Sequence, residues 1–175
     1  IKTYMKSQKI ELIIFDRDGT LIEDVGYPFK PQDLQWKPGA LELLGWLNKN
    51  GILVAIATNQ SGVARGYFTL DQVGLFHELM LKDVKTAGGD IAMIKICPHL
   101  ISSLIPEYSV DCLCRKPGSG MIKSILNDLN IQPSKALMIG DRSTDITAGC
   151  ASGVASYLFG GENLKEFVLE ILADK

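Results

Sequence analysis

Glu11-Leu12-Ile13-Ile14-Phe15-Asp16-Arg17-Asp18-Gly19-Thr20-Leu21 is the stretch that decides the fold. Four apolar residues with no polar alternation, bounded by an acidic, glycine-containing loop, make Glu11–Phe15 a strand buried on both faces. Such strands belong to parallel sheets covered by helices, and the rest of the chain has that rhythm. Residues 38–50 read as a helix: Pro38 lies near its start, Leu41, Leu44 and Leu47 are spaced for one face, and Gly51 follows. Ile52–Ala57 is a second buried strand. Thr69 opens another helix, with Gln72 completing a capping box, and Gly88-Gly89 stop it. Ile91–Ile96 is a third strand, Met121–Leu129 a helix, and Ala136–Ile139 a fourth strand. Asp145–Ser152 reads as a helix, Val154–Leu158 as a fifth strand, and Glu162–Ala173 as the closing helix. Residues 97–117 have no regular period and read as a long loop. The expectation is a Rossmann-like α/β single domain over 1–175, a parallel sheet with helices on both faces. Ligands in such sheets bind beyond the C-terminal strand ends.

A chain of 175 residues can bury a full core, and 46% hydrophobic residues suit a soluble domain. A net charge of −2 with no basic run argues against nucleic-acid and anionic-membrane partners. No apolar run approaches a membrane span. The chain does not open on Met, and no signal peptide is read at its start. These features point to the cytoplasm.

The strand ends carry the chemistry. The first delivers Asp16, Asp18, Gly19 and Thr20; the second Thr58, Asn59, Gln60 and Ser61; the fourth Gly140, Asp141, Arg142 and Asp145. The long loop ends in Arg115-Lys116-Pro117. Taken singly, Asp-x-Asp-Gly is a turn, Thr-Asn a cap and Lys116 a surface charge. Their arrival in order at successive strand ends assembles a site, and its chemistry fits phosphoryl transfer. Asp16, Asp18 and Asp141 offer hard oxygen ligands for Mg²⁺. Asp16 can attack phosphorus and form an aspartyl-phosphate. Asp18 can protonate the leaving alkoxide and then activate water. Thr58, Asn59 and Lys116 can stabilise charge on the transferring oxygens. Asp145 is either a further member of the site, an orienting group for Lys116, or a cap for the next helix.

Cys97, His99, Cys112 and Cys114 offer three thiols and an imidazole within one loop. A closed Cys₃His set suits structural Zn²⁺ and leaves no open catalytic position. The alternative is buried free cysteines with a surface histidine. A loop this long needs a staple, which favours metal. Cys150, beside Ala148, Gly149 and Ala151, reads as core.

Asp16-Arg17-Asp18-Gly19-Thr20-Leu21 resembles the first motif of the haloacid dehalogenase (HAD) superfamily, and Thr58, Lys116 and the Asp141/Asp145 pair are similar to its later motifs, in order. The resemblance implies the Rossmann-like fold, and the acid at Asp18 implies the phosphatase branch. Cys97-Pro98-His99 with Cys112-Leu113-Cys114-Arg115-Lys116-Pro117 resembles the zinc loop of the subgroup holding the heptose-bisphosphate and histidinol-phosphate phosphatases. That likeness implies a zinc that sets Arg115 and Lys116 over the phosphate.

Thr58–Thr69 and Asp24-Val25-Gly26-Tyr27 are similar to the D-glycero-D-manno-heptose-1,7-bisphosphate 7-phosphatases. The likeness implies that Asp24, Gly26, Tyr27, Asn59, Gln60, Ser61, Arg115 and Arg142 touch the sugar or its second phosphate. Arg65 either orders its loop or contacts substrate. Asp141-Arg142-Ser143-Thr144-Asp145 departs toward the histidinol-phosphate form, which keeps that activity as the alternative. A catalytically inactive sugar-phosphate binder is the competing class, and the complete acid set argues against it. Residues 22–57 leave no room for a cap domain, so the site is expected to be open. The resemblance further implies a monomer in a sugar-nucleotide pathway feeding cell-surface polysaccharide.

Overall fold

The computed structural model describes residues 9–175. The reading of the chain's opening as free of a signal peptide falls on residues 1–8, outside the described residues. Five parallel strands form one sheet: β1 (Leu12–Phe15), β2 (Leu53–Asn59), β3 (Met93–Cys97), β4 (Ala136–Gly140) and β5 (Ala155–Leu158). Their spatial order is β3-β2-β1-β4-β5. The chain steps outward from β1 to β3, returns across the sheet, and steps out the other way through β4 and β5. The order therefore reverses beside β1, where open α/β sheets hold their ligands.

The apolar run Leu12–Phe15 is central and fully buried, as its composition requires. Register pairs Leu12 with both Leu53 and Ala136, and Phe15 with both Ile56 and Ile139. Alternate residues point to opposite faces. Ile13, Phe15, Val54, Ile56, Leu137 and Ile139 face one core, closed by α1 (Ala40–Lys49), α2 (Leu70–Thr86) and α5 (Leu164–Ala173). Leu12, Ile14, Ala55, Ala57, Ala136 and Met138 face the other, under α3 (Gly120–Asp128) and α4 (Ser143–Ala151).

Local chemistry sets the helix ends. Gln72 N donates to Thr69 Oγ1 at 3.2 Å and Thr69 N donates to Gln72 Oε1 at 2.9 Å, the reciprocal capping box expected at α2. Asn163 caps α5 by accepting from Lys165 N and Glu166 N. Two expectations are corrected. The buried stripe of α1 is Ala40, Leu43, Leu44 and Leu47, with Leu41 only half-buried, because the 3.6-residue period turns position 41 to the flank. Cys150 is exposed: α4 buries Asp145, Ala148 and Gly149, and the next position rotates about 100° away.

Residues 21–37 make a short excursion between β1 and α1, with no cap domain. Glu23 N donates to Gln35 O at 2.8 Å and Lys37 N to Leu21 O at 2.9 Å, pinning its base. Its tip is held by aromatic pairs, Tyr27 on Tyr67 at 5.1 Å and Phe29 on Phe68 at 4.7 Å. Among the described residues no helix is long and apolar enough to cross a membrane.

Gly140 ends β4 where a Cβ would fall on the Asp145 side chain. Gly140→Ala is expected to cost about 1–3 kcal/mol of overpacking. Urea denaturation of the variant beside the parent chain measures it, and an unchanged midpoint would contradict this close packing.

Candidate active site

The C-terminal ends of β1, β2 and β4 and the end of the 97–117 loop open into a pocket of about 690 Å³, within the size range of small-molecule sites. Asp16 and Asp18 come from the β1 end, Asn59, Gln60 and Ser61 from β2, and Arg142, Ser143, Thr144 and Asp145 from the start of α4. The excursion supplies Asp24, Gly26 and Tyr27, and Arg65, Arg115 and Lys116 complete the wall. All eight residues expected to touch substrate line this pocket.

The Lys116 ammonium is buried and donates all three of its hydrogens: to Asp16 Oδ1 at 2.6 Å, Asp145 Oδ1 at 2.6 Å and the Ala57 carbonyl at 2.7 Å. Burial pulls the Lys116 pKa down, but the charges of Asp16 and Asp145 outweigh it and the net shift is upward. Burial pushes the Asp16 carboxyl up to about 7; Lys116 pulls it down, while Asp145 adds to the rise. The raised value is first an effect of burial, to which the neighbouring carboxylates add. Asp16, Asp141 and Asp145 bring carboxylate oxygens within 4.8 Å of one another, and the Lys116 ammonium pairs with two of them, Asp16 and Asp145. A divalent cation fits that donor set, since hard oxygens and unbalanced negative charge are what it requires.

The acid cluster differs from the expected Asp16, Asp18 and Asp141. Asp145 has taken a place in it, and Asp18 has turned away. Asp18 Oδ1 accepts from Arg17 Nε at 2.7 Å; its Oδ2 accepts from Arg17 Nη2 at 2.9 Å and Gln60 Nε2 at 2.9 Å. A carboxylate already bound by a guanidinium fork is poorly placed to turn to a metal. Asp145 does two of the things open to it, since its second oxygen accepts from Arg142 N at 3.0 Å at the start of α4. Asp141 Oδ1 accepts from Thr20 Oγ1 at 3.2 Å, and Gly19, at φ +87°, packs so closely on Asp141 that a Cβ there would overlap its carboxylate.

Two amides expected at the substrate are committed to the protein. Asn59 clasps the Lys116 backbone, donating to its carbonyl and accepting from its N–H, both at 3.0 Å. Gln60 is buried and donates to Asp18 and, at 2.9 Å, to Thr58 Oγ1. Arg115 donates to the His99 carbonyl at 3.2 Å. Arg142 spans the pocket mouth to Asp24 at 2.9 Å. The Arg65 side chain has no hydrogen-bond or ion-pair partner among the described residues, so its charge is free to meet a ligand.

Cys97, His99, Cys112 and Cys114 converge in the loop. Sγ–Sγ separations of 3.2–3.6 Å and Sγ–Nδ1 separations of 3.3–3.7 Å link the four. Zinc with bonds of about 2.3 Å to sulfur and 2.0 Å to nitrogen makes tetrahedron edges of roughly 3.5–3.8 Å. The four donors therefore fit zinc with little adjustment.

Arg17 and His77 were not legible as site residues. Arg17 is fully buried behind Asp18, and its Nη1 lies 3.0 Å from His77 Nε2. A guanidinium has no acceptor, so His77 Nε2 must accept and its proton must sit on Nδ1. Burial and the Arg17 charge lower the His77 pKa to about 3.

The chain spans 91% of its own length and 88% of a Rhodopseudomonas palustris D-glycero-beta-D-manno-heptose-1,7-bisphosphate 7-phosphatase, at 36% identity. The chain belongs to this phosphatase family. A D-glycero-alpha-D-manno-heptose-1,7-bisphosphate 7-phosphatase of Photorhabdus laumondii is 35% identical, with 86% of this chain and 82% of the relative covered. The HAD-hydrolase-like family model (Hydrolase_like) matches residues 113–166. The D,D-heptose 1,7-bisphosphate phosphatase of B. bronchiseptica, solved with magnesium and phosphate, superposes with a TM-score of 0.83 at 28% identity, covering 95% of this chain and all of that one. This heptose-phosphatase relationship carries the HAD phosphatase fold without a large cap.

The buried neutral His77 makes folding pH-dependent. Its folded pKa of about 3 lies below the ordinary histidine value of 6.5, so between those values the unfolded chain binds a proton that the folded chain refuses. That contribution is complete above pH 6.5 and is lost as pH falls toward 3. From pH 8 to pH 5 it removes about 2 kcal/mol. Urea denaturation at both pH values, in the parent chain and in His77→Gln, isolates it: the variant is expected to lose that much less. Equal losses would show that His77 is protonated in the folded chain.

Proposed function

We propose that the chain removes the 7-phosphate from D-glycero-D-manno-heptose 1,7-bisphosphate through an aspartyl-phosphate on Asp16. The observation that carries the mechanism is the Asp16 carboxylate at the floor of the pocket, held by Lys116 at 2.6 Å and flanked by Asp141. The heptose-phosphatase names of relatives at 35–36% identity support the substrate.

On this reading one Asp16 oxygen attacks phosphorus while the other is held by Lys116, which fixes the carboxylate for in-line approach. As the phosphorus–oxygen bond to the sugar breaks, its electron pair stays on the sugar oxygen and Asp18 supplies the proton. Asp18 then takes a proton from the water that hydrolyses the aspartyl-phosphate. Thr58 Oγ1 accepts from Gln60, which leaves its own hydroxyl hydrogen for a transferring oxygen. Asn59 acts through Lys116, whose backbone it clasps. Arg65, Arg115 and Arg142 are the cations for the second phosphate, with Asp24, Gly26, Tyr27 and Ser61 against the sugar.

Asp16 and Asp141 would hold magnesium, with Asp145 alongside, and the bound ion would offset repulsion between the phosphate and the carboxylate nucleophile. The magnesium in the B. bronchiseptica structure supports this choice of ion. Cys97, His99, Cys112 and Cys114 would hold a structural zinc that keeps Arg115 and Lys116 at the pocket wall. A reduced compartment suits those free thiols, so we place the chain in the cytoplasm, acting as a monomer on a small soluble sugar phosphate.

The deciding assay is phosphate release with Mg²⁺ from both anomers of the heptose bisphosphate and from histidinol phosphate at matched concentrations. Preference for a bisphosphate is expected. Preference for histidinol phosphate would overturn the substrate assignment and leave the phosphatase chemistry standing. Asp16→Asn, which keeps the side-chain shape, is expected to lower turnover by more than about 1,000-fold with the fold retained. Turnover near the parent level would remove Asp16 as nucleophile.

Freshly purified, unchelated protein should contain about one zinc per chain by elemental analysis, and Cys112→Ser should lower it. Zinc-free protein with full activity would rule out the staple.

A further inference from the structure

Asp18 has four lone-pair positions on its carboxylate, and three are taken. Arg17 Nε occupies one on Oδ1, while Arg17 Nη2 and Gln60 Nε2 occupy both on Oδ2. One position remains, on Oδ1, and the side chain reaches the pocket. A proton passing to a leaving group must sit there.

Arg17 creates this asymmetry and is itself held from several sides. Its Nη2 also donates to the Pro28 carbonyl at 3.1 Å, and its Nη1 to His77 Nε2 at 3.0 Å. The guanidinium carbon lies 5.0 Å from the Phe76 ring centroid. Four of its five N–H groups thus have named acceptors. A fully buried arginine on the residue preceding a pocket carboxylate cannot swing to solvent, so the carboxylate cannot rotate freely either.

We propose that Arg17, anchored by His77, is a positioning residue that presents Asp18 Oδ1 as the proton-carrying oxygen of the phosphatase. The proposal rests on the phosphatase reading above. In the first half-reaction the Asp16 oxygen–phosphorus bond forms and the bond from phosphorus to the sugar oxygen breaks. The leaving oxygen keeps the electron pair and takes the proton from Oδ1, so Asp18 ends ionised and Asp16 phosphorylated. The Arg17 fork fixes the direction in which the proton leaves.

The test uses leaving groups of different need. A sugar alkoxide must be protonated as it departs, whereas p-nitrophenolate departs without that help. The value of kcat/KM reports only steps through the first irreversible one, so it isolates phosphorylation of Asp16 from hydrolysis of the aspartyl-phosphate. The readout is the ratio of kcat/KM for the heptose bisphosphate to that for p-nitrophenyl phosphate. Arg17→Lys keeps the buried charge but lacks the two-bond fork, and the ratio should fall by at least about tenfold, part of the 10²–10⁴ that a positioned acid contributes. His77→Leu should move the ratio the same way, and His77→Gln, which keeps an acceptor toward Arg17, should restore it. A purely structural role would lower both esters together. An unchanged ratio in either Arg17→Lys or His77→Leu overturns the proposal, and His77→Leu decides alone if Arg17→Lys does not fold. A parent chain that releases phosphate from neither ester would instead bring down the phosphatase reading beneath it.

Discussion

The buried ammonium of Lys116 is the contact on which the site depends. It belongs to the end of an irregular loop, yet it meets a carboxylate from the end of β1, a carbonyl from β2 and a carboxylate from α4. These elements come from both sides of the point where strand order reverses. A buried cation with any of those acceptors missing would carry an uncompensated desolvation cost of several kcal/mol. The same cost applies in reverse to Asp16 and Asp145 if the lysine is withdrawn. The strand ends and the loop are therefore mutually dependent: the nucleophile is in place only when the loop is. That dependence explains why Asn59 spends its whole amide on the Lys116 backbone and why four metal-type donors gather a few residues upstream of it.

Charge balance separates the roles of the acids. Three carboxylates gather at the pocket floor and two of them share one ammonium, which leaves negative charge that a divalent cation can neutralise. Asp18 stands outside that group because it has its own cation, Arg17, entirely within the protein. Two acids two residues apart in the chain thus sit in different electrostatic settings. Asp16 shares Lys116 with Asp145, and Asp18 holds a guanidinium of its own. Burial raises the Asp16 carboxyl, so as nucleophile it depends on Lys116 and on a bound divalent cation to be held ionised.

Much of this was legible in the chain. Leu12–Phe15, with no polar residue among four, can only be a strand covered on both faces, and the capping box at Thr69 and Gln72 announced α2 to the residue. Asp16, Asp18 and Asn59 reached the pocket because they end or closely follow a strand, so the sheet's parallel geometry delivers them to one edge, whereas Lys116 arrives there on the long loop. What residue type could not show is how the site residues hold one another. Asn59 and Gln60 line the pocket as expected, yet their amides also grip the Lys116 backbone and Asp18, and Asp18 is gripped by its neighbour Arg17. His77 lies 60 positions from Arg17 and carries no local signal, since a histidine inside an amphipathic helix looks like any other buried position. Cys150 failed for a simpler reason: small neighbours suggested a core face, and one step of helical rotation carried it outside.

The internal commitments divide the pocket into two layers. Lys116, Asn59, Gln60, Arg17 and Asp145 are all occupied by partners within the protein, so a substrate can engage them only by displacing buried contacts. That inner layer suits whatever all substrates of the site share, the transferring phosphoryl group. The outer layer is different: the Arg65 side chain is free of partners among the described residues, Arg142 holds only Asp24 and a distant edge of Asp141, and Tyr27 rests against the exposed Tyr67. An anionic group entering the mouth can compete with Asp24 for Arg142 at small cost, because exposed ion pairs contribute little. Discrimination between a bisphosphate and a cationic monophosphate such as histidinol phosphate then falls to this rim. Three arginines, Arg65, Arg115 and Arg142, surround it, with Asp24 as the opposing acid. A second phosphate gains from that rim what a protonated amine would lose. On electrostatic grounds the rim therefore favours the bisphosphate, whatever the fourth motif shares with the histidinol-phosphate form.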